Sequence, residues 1–356
     1  MGDSTLAQFV ENVSGKSHLR IEADYGGGFV RLRTSEAERR QAAQDIRQSE
    51  HIVLELLRNS RDAHASRIYV AFSKEGTKRF VTVVDDGIGI PAHMHSLVFE
   101  PRVTSKLDTS HTDAWGLHGR GMALFSIAEN SELSRVASSD VNLGCAMEVR
   151  TDVQKLPEKA DQSSFPTFEL GDDGVVNVRG PKNILRTICE FAIDSRQHCE
   201  VFAGSPAEIC SALYSYGMAT LSVVDRLFCD DVHTISLVKR LAASSDPAHF
   251  ADIAQEMGLA LSERTARRII DGQLPEAVNV LDRVRIESGK PQKTRKTPPA
   301  REPSIKVSPE DRDALLSGVM DSYAQLASKY YLDANVKPAA IVKPDTLLIS
   351  IPIVKE

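Results

Sequence analysis

Residues 80–91 read Phe-Val-Thr-Val-Val-Asp-Asp-Gly-Ile-Gly-Ile-Pro, an unbroken apolar and β-branched run that ends on two acids and two spaced glycines. Such a run is a short buried strand. The glycines after it let the backbone turn sharply and approach a ligand or another chain segment closely. Asp85 is therefore placed at a strand end, where its carboxylate can accept a hydrogen bond from an exocyclic amine such as that of adenine. An Asp-x-Gly-x-Gly on its own is a common turn, so its weight depends on what surrounds it.

Thirty residues upstream of Asp85 stands the stretch 55–63, Glu-Leu-Leu-Arg-Asn-Ser-Arg-Asp-Ala. On a helix Glu55 and Asn59 are four apart and Asp62 three further on, so all three project from one face, while Leu54 and Leu57 face a core. A carboxylate beside a carboxamide suits metal-assisted phosphoryl chemistry. Mg²⁺ takes most of its oxygens from phosphate and water, so one amide oxygen suffices, and the carboxylate is left to polarise an attacking water. Alone, this is also what a surface helix with polar residues at chance spacing looks like. Downstream, residues 116–124 read Gly-Leu-His-Gly-Arg-Gly-Met-Ala-Leu. Three glycines at the mouth of an apolar helix present backbone amides to an anion. The three elements in this order make an ATP site.

The rest of the chain fits around them. Its 356 residues exceed one typical domain, and a net charge of −6 argues against a wholesale nucleic-acid coat without excluding a local basic patch. The five cysteines are far apart and odd in number, which reads as reduced core thiols. The opening Met-Gly-Asp-Ser-Thr lacks a signal-peptide layout and no apolar run reaches membrane-spanning length, so the cytoplasm is expected. Residues 18–24 and 29–33 alternate around Gly26-Gly27-Gly28 as a hairpin. Ser35 with Glu38 has capping-box spacing and opens a long helix expected to continue through His64. Strands are expected at 133–138, 145–150 and 175–179, giving an α+β sandwich rather than a doubly wound sheet. Helical spacing dominates 207–286. Residues 289–306, rich in proline and lysine, read as an extended linker, and 309–356 as a helix with a β pair. The expected domains are 1–205, 206–286, a linker at 287–308, and 309–356.

Residues 55–63, 85–91 and 116–124 resemble the three ATP boxes of the GHKL superfamily, which includes gyrase B subunits, the ninety-kilodalton heat-shock chaperone, histidine kinases and MutL. The resemblance implies a Bergerat sandwich, with helices on one face of a mixed sheet and a mobile lid over Mg-ATP. It further implies Glu55 as general base, Asn59 as Mg²⁺ ligand and Asp85 as adenine contact, with Gly87 and Gly89 beneath the nucleotide. Asp62, Ile90, Thr104 and Lys106 complete the implied binding set, together with Gly116, Leu117, His118, Gly119, Arg120, Gly121 and Met122 of the phosphate loop. Asp86 stands where the family often has asparagine. His93, His95, His111 and His118 read as solvated loop.

Within the superfamily the phrase 55–63 looks most like MutL and topoisomerase VI B subunits, and Thr104-Ser105-Lys106 resembles a MutL triplet. Met122 stands where MutL carries glutamate. Residues 184–187 (Ile-Leu-Arg-Thr) leading to 198–202 are similar to the close of the topoisomerase VI B ATPase domain. The helices around 250–270 are then the counterpart of its helix–two-turns–helix domain, with Arg264, Arg267 and Arg268 either on phosphates or on a solvated face. The fifty residues after the linker are too few for a complete transducer domain. The resemblance implies an ATPase that dimerises on binding ATP, with DNA or a DNA-cleaving subunit as partner. A MutL-like repair or defence accessory, a non-hydrolysing ATP sensor and a histidine-type kinase stay open as rivals.

Overall fold

The computed structural model describes residues 21–105, 111–113, 116–118, 121–170, 176–227, 229, 231–284, 286–288, 309–342 and 347–354. It divides into two units, Met1–Gly289 and Lys290–Glu356.

The first unit opens with the hairpin β1 (Ile21–Gly26) and β2 (Phe29–Leu32). Helix α1 (Glu36–Asp45) starts from a Ser35/Glu38 capping box in which each side chain bonds the other residue's backbone. It does not run on to His64. Ile46 leaves it in extended geometry with a buried side chain, and a second helix, α2 (Ser49–Asp62), begins three residues later. Burying Ile46 redirects the chain, and helical spacing alone does not register that. Strands β3 (Arg67–Glu75) and β4 (Lys78–Asp85) follow. Next come β5 (Val103–Thr104), which joins β2, and the small antiparallel pair β6 (His111–Asp113) and β7 (Gly116–His118). Helix α3 (Ala123–Glu129) leads to β8 (Leu133–Asp140) and β9 (Gly144–Asp152). After them lie β10 (Thr167–Leu170), β11 (Val176–Arg179), α4 (Ile184–Asp194) and β12 (Glu200–Gly204).

The central sheet runs β12-β3-β4-β9-β8, with β12 parallel to β3 and the remaining pairs antiparallel, so it is mixed as expected. Its two faces are read off by parity, because successive side chains in a strand point to opposite sides. Ile68, Val70, Val81, Val83, Cys145, Met147 and Val149 face α2 and α4 and pack with Val53, Leu57, Ile188 and Phe191. Tyr69, Ala71, Val84 and Ala146 point the other way.

That second face is also covered. Helices α5 (Pro206–Thr220), α6 (Val223–Leu227), α7 (Leu237–Arg240), α8 (Pro247–Glu256) and α9 (Glu263–Ile270) follow β12. Of these, α5 and α7 to α9 bring Ile209, Leu213, Leu237, Phe250, Met257, Leu259 and Ile269 onto it. The helices expected as a separate domain at 206–286 thus complete a three-layer unit with the first two hundred residues. The reason is visible in β3 and β4. Ile-Tyr-Val-Ala at 68–71 and Val-Thr-Val-Val at 81–84 carry no charge on either face, and a sheet so apolar has to be covered twice. Helix α10 (Val280–Arg283) and strand β13 (Ile286–Ser288), parallel to β10, end the unit.

In the second unit α11 (Pro309–Tyr330) precedes the antiparallel pair β14 (Ala339–Val342) and β15 (Leu347–Ser350). Among its described residues, the side chains of Tyr323 and Ala327 are buried. The expected linker at 289–306 lies outside the described residues. Among the described residues no helix is long and apolar enough to cross a membrane.

Candidate functional site

Helix α2 lies on the near face of the sheet because Ile52, Val53, Leu56 and Leu57 form its buried stripe. Glu55, Asn59 and Asp62, spaced four and three apart, stand beside that stripe. All three line one cavity of about 640 Å³. The opposite wall comes from β4. Since Val81 and Val83 face α2, parity places Asp85 on the same side, and it lines the cavity too. Phe29 of the hairpin, Ile88, Gly89, Ile90, Thr104, Gly121 and Met122 close the rest.

Asp85 is buried, and both of its oxygens are engaged. Oδ2 accepts from the Ser60 hydroxyl at 2.7 Å and Oδ1 from the Gly87 amide at 2.9 Å. Burial outweighs these bonds and raises its pKa to about 6. Ser60 belongs to the 55–63 phrase but carried no role in the sequence reading. Its position one residue after Asn59 points it at β4, and that relation exists only once the helix has docked on the sheet.

The glycine turn after Asp85 is held by backbone on two sides. Ile88 donates to the Ala63 carbonyl at 3.0 Å, at the end of α2, and Asn142 of the β8–β9 turn donates to the Ile88 carbonyl at 2.7 Å. The Ile90 amide donates to Ser139 Oγ, and the His95 ring contacts the Ile90 carbonyl at 3.1 Å. His95 therefore pins this turn and is not solvated loop. Gly89 has φ +70, and a Cβ there would lie 1.9 Å from the Asp140 carbonyl. Gly144 has φ +91, and a Cβ there would lie 2.1 Å from the Asp85 carbonyl. Close approach to protein backbone is what these two positions require. The sequence signal for Gly144 is a glycine between two strand segments, which marks a hairpin turn. Asp86 caps the start of β3 by accepting from the amides of Ser66 and Arg67 at 2.7 and 2.8 Å.

Glu55 is ion-paired. Arg58 Nη1 lies 2.5 Å from Glu55 Oε1, and Arg58 is itself buried. One turn on, the Asn59 side-chain nitrogen is buried without a hydrogen-bond partner among the described residues. The amide of Asn59 can be read in either orientation, so it offers this cavity an uncommitted polar group. Asp62 sits beside Arg61, which reaches Asp194 at 3.7 Å and stacks over Phe191.

The phosphate-loop residues fall unevenly. Gly121, at φ +67, packs against Thr104, and Met122 precedes α3, where its carbonyl accepts from both the amide and the hydroxyl of Ser126. Gly116, Leu117 and His118 form β7, opposite β6. Lys106, Gly119 and Arg120 lie outside the described residues.

A family model described as "Histidine kinase-, DNA gyrase B-, and HSP90-like ATPase" matches residues 44–155, the stretch from the end of α1 through β9. Over 104 residues the chain is 35% identical to the DNA mismatch repair protein MutL of Staphylococcus aureus strains Newman, JH1 and Mu3. The aligned stretch is 28% of this chain and spans 15% of the length of those relatives. Residues 44–155 are thus of the GHKL ATPase superfamily, with a likeness to MutL, and ATP binding is what that domain implies.

Proposed function

We propose that the chain is an Mg-dependent ATPase in which Glu55 is the general base, Asn59 the metal ligand and Asp85 the adenine acceptor. The observation that carries this reading is the convergence of Glu55, Asn59 and Asp62 from one helix with Asp85 from a facing strand on a single cavity. The side-chain amide of Asn59, whose nitrogen is buried with no hydrogen-bond partner among the described residues, is a group a hydrated cation and its phosphates would satisfy. Bound there, the ion would draw charge from the phosphates. The chain's own work is to hold the base with Asp85 and the glycine turn, and to present Glu55 to a water at the far end. Asp62, Ile90, Thr104, Lys106 and the residues from Gly116 to Met122 complete the nucleotide contacts in this reading.

Closure of the segment 104–118 over nucleotide is proposed to bias a two-state, dimerising assembly, with hydrolysis resetting it. The partner is DNA or a DNA-cleaving subunit, as in type IIB topoisomerases, and the compartment is the cytoplasm. A second reading, a MutL-like repair or defence accessory without a cleavage partner, is favoured by the identity over 104 residues. Turnover measured with and without duplex DNA tests both. Stimulation by DNA, with a cleavage subunit recovered in pull-downs, supports the first, and stimulation without such a subunit the second. ATP binding without turnover under either condition would replace both with a sensor.

A further inference from the structure

Strand β8 carries a bulge beside the candidate site. Val136 pairs with Met147, yet Ser138 pairs with Ala146, so Ala137 is an extra residue on this strand. One inserted residue sends every later side chain to the opposite face. Val136 packs with Met147 on the α2 face, whereas Ala137 packs against the core of the far-face helices. Unbroken alternation would aim Ser138 at α2 and Ser139 away from it. The bulge reverses both. Ser138 Oγ accepts from Arg240 of α7 at 2.9 Å on the far face, and Ser139, paired with the cavity-lining Cys145, turns to the cavity side.

There the Ser139 hydroxyl joins the two segments that flank Asp85. It accepts from the Ile90 amide at 2.7 Å, at the end of the glycine turn, and donates to the Gly144 carbonyl at 2.8 Å, at the start of β9. Ile88, Gly89, Ile90 and Cys145 line the cavity, and the serine reaches it through the backbone of Ile90 and Gly144. The strand that carries the serine is fixed from the other side. Arg240, only 2% exposed, also donates to the His233 and Ile235 carbonyls, and the Leu237 amide donates to the Leu143 carbonyl in the β8–β9 turn at 2.9 Å. The hydroxyl is thus a fixed point from which the glycine turn hangs.

We infer that Ser139 is a positioning residue for base recognition. Its hydroxyl sets the spacing between the glycine turn and β9, and with it the slot in which Asp85 meets a planar base bearing an exocyclic amine. It acts on that base and not on the phosphate chain, which the proposed reading assigns to Thr104 and the Gly121–Met122 wall. The inference rests on the proposed nucleotide reading and adds to it a residue that touches no ligand. Without the hydroxyl the Ile90 amide loses its acceptor, and an unmet bond of this kind is worth about tenfold in what the turn holds.

The test is calorimetry of the full chain with Mg-ATP and with Mg-tripolyphosphate, which has the phosphates and no base. Ser139→Ala should weaken ATP by about tenfold and leave tripolyphosphate within about twofold of wild type. Ser139→Thr keeps the hydroxyl and should restore ATP affinity. Ser138→Ala, whose lost hydroxyl faces α7, should leave ATP affinity unchanged. Equal ATP losses in the two alanine variants would mean a general loosening of β8 and overturn the inference. So would unchanged ATP affinity in Ser139→Ala, or an equal fall for both ligands. Should that variant be unstable, Ser139→Cys carries the same comparison, because a thiol hydrogen-bonds only weakly. A wild type that binds no ATP removes the nucleotide reading itself, and this inference with it. A wild type that binds ATP no better than Ser139→Ala does overturns the inference alone.

Discussion

Arg58 and Glu55, three residues apart on one helix, form a 2.5 Å ion pair on the cavity wall, with the guanidinium more deeply buried than the carboxylate. The proposed base thus enters the cycle with one lone pair occupied. It can take a proton from water through its other oxygen, or after Arg58 has moved to new negative charge.

Glu55→Gln preserves shape and removes the base. Turnover should fall by about 10² to 10⁴, the span of general-base contributions, while calorimetry shows ATP affinity retained. Unchanged turnover would remove Glu55 from the mechanism.

Asp85→Asn should abolish nucleotide binding, because an amide cannot accept the Ser60 and Gly87 bonds and an adenine amine as a carboxylate does. Undiminished affinity in calorimetry would end the adenine assignment.

The same residue sets a pH dependence. Its folded pKa, about 6, lies above the ordinary 3.8, so the folded state holds the proton more tightly than the unfolded one. The stability from this group is present below about 3.8 and is lost as pH rises through about 6. Urea melts of the nucleotide-free wild type across that window should lose up to about 3 kcal/mol relative to Asp85→Asn. Parallel pH profiles would contradict it.

Gly144→Ala should destabilise the unit by more than about 2 kcal/mol, because a left-handed alanine is strained and its methyl overlaps the Asp85 carbonyl. Nucleotide binding should fall with it, since relief requires the Asp85 turn to shift. Gly76→Ala is the control: its φ is +58 with nothing within 4 Å, so it should cost only the backbone strain, about 1 kcal/mol.

Arg79 and Glu158 form a buried pair at 2.7 Å, closed by a second bond at 2.9 Å, which anchors the loop after β9 to the sheet. Arg79→Ala leaves Glu158, among the described residues, with the half-exposed Lys74, and denaturant unfolding should register a loss of about 3 to 5 kcal/mol. A loss under 1 kcal/mol would show that the loop does not depend on the pair.

Local chemistry wrote much of this protein into its sequence. The capping box at Ser35, the period that sets Glu55, Asn59 and Asp62 on one side of a helix, and the strand that ends on Asp85 are short-range consequences of residue type. Each can be read without knowing its neighbours in space. What the residues meet was decided by packing. Ile46 breaks the long helix because its side chain is buried elsewhere. Ser60 becomes a partner of Asp85 only when α2 docks on the sheet, and Arg58 occupies the carboxylate expected to be free. The helices after β12 join the first unit because the sheet is apolar on both faces, which a linear reading of period and spacing does not weigh. Bonds between positions 25 or 176 residues apart, Ser60 to Asp85 and Thr82 to Gly258, leave no periodic trace in the chain. They exist because burial takes these polar groups out of water, so each must find its partners within the protein.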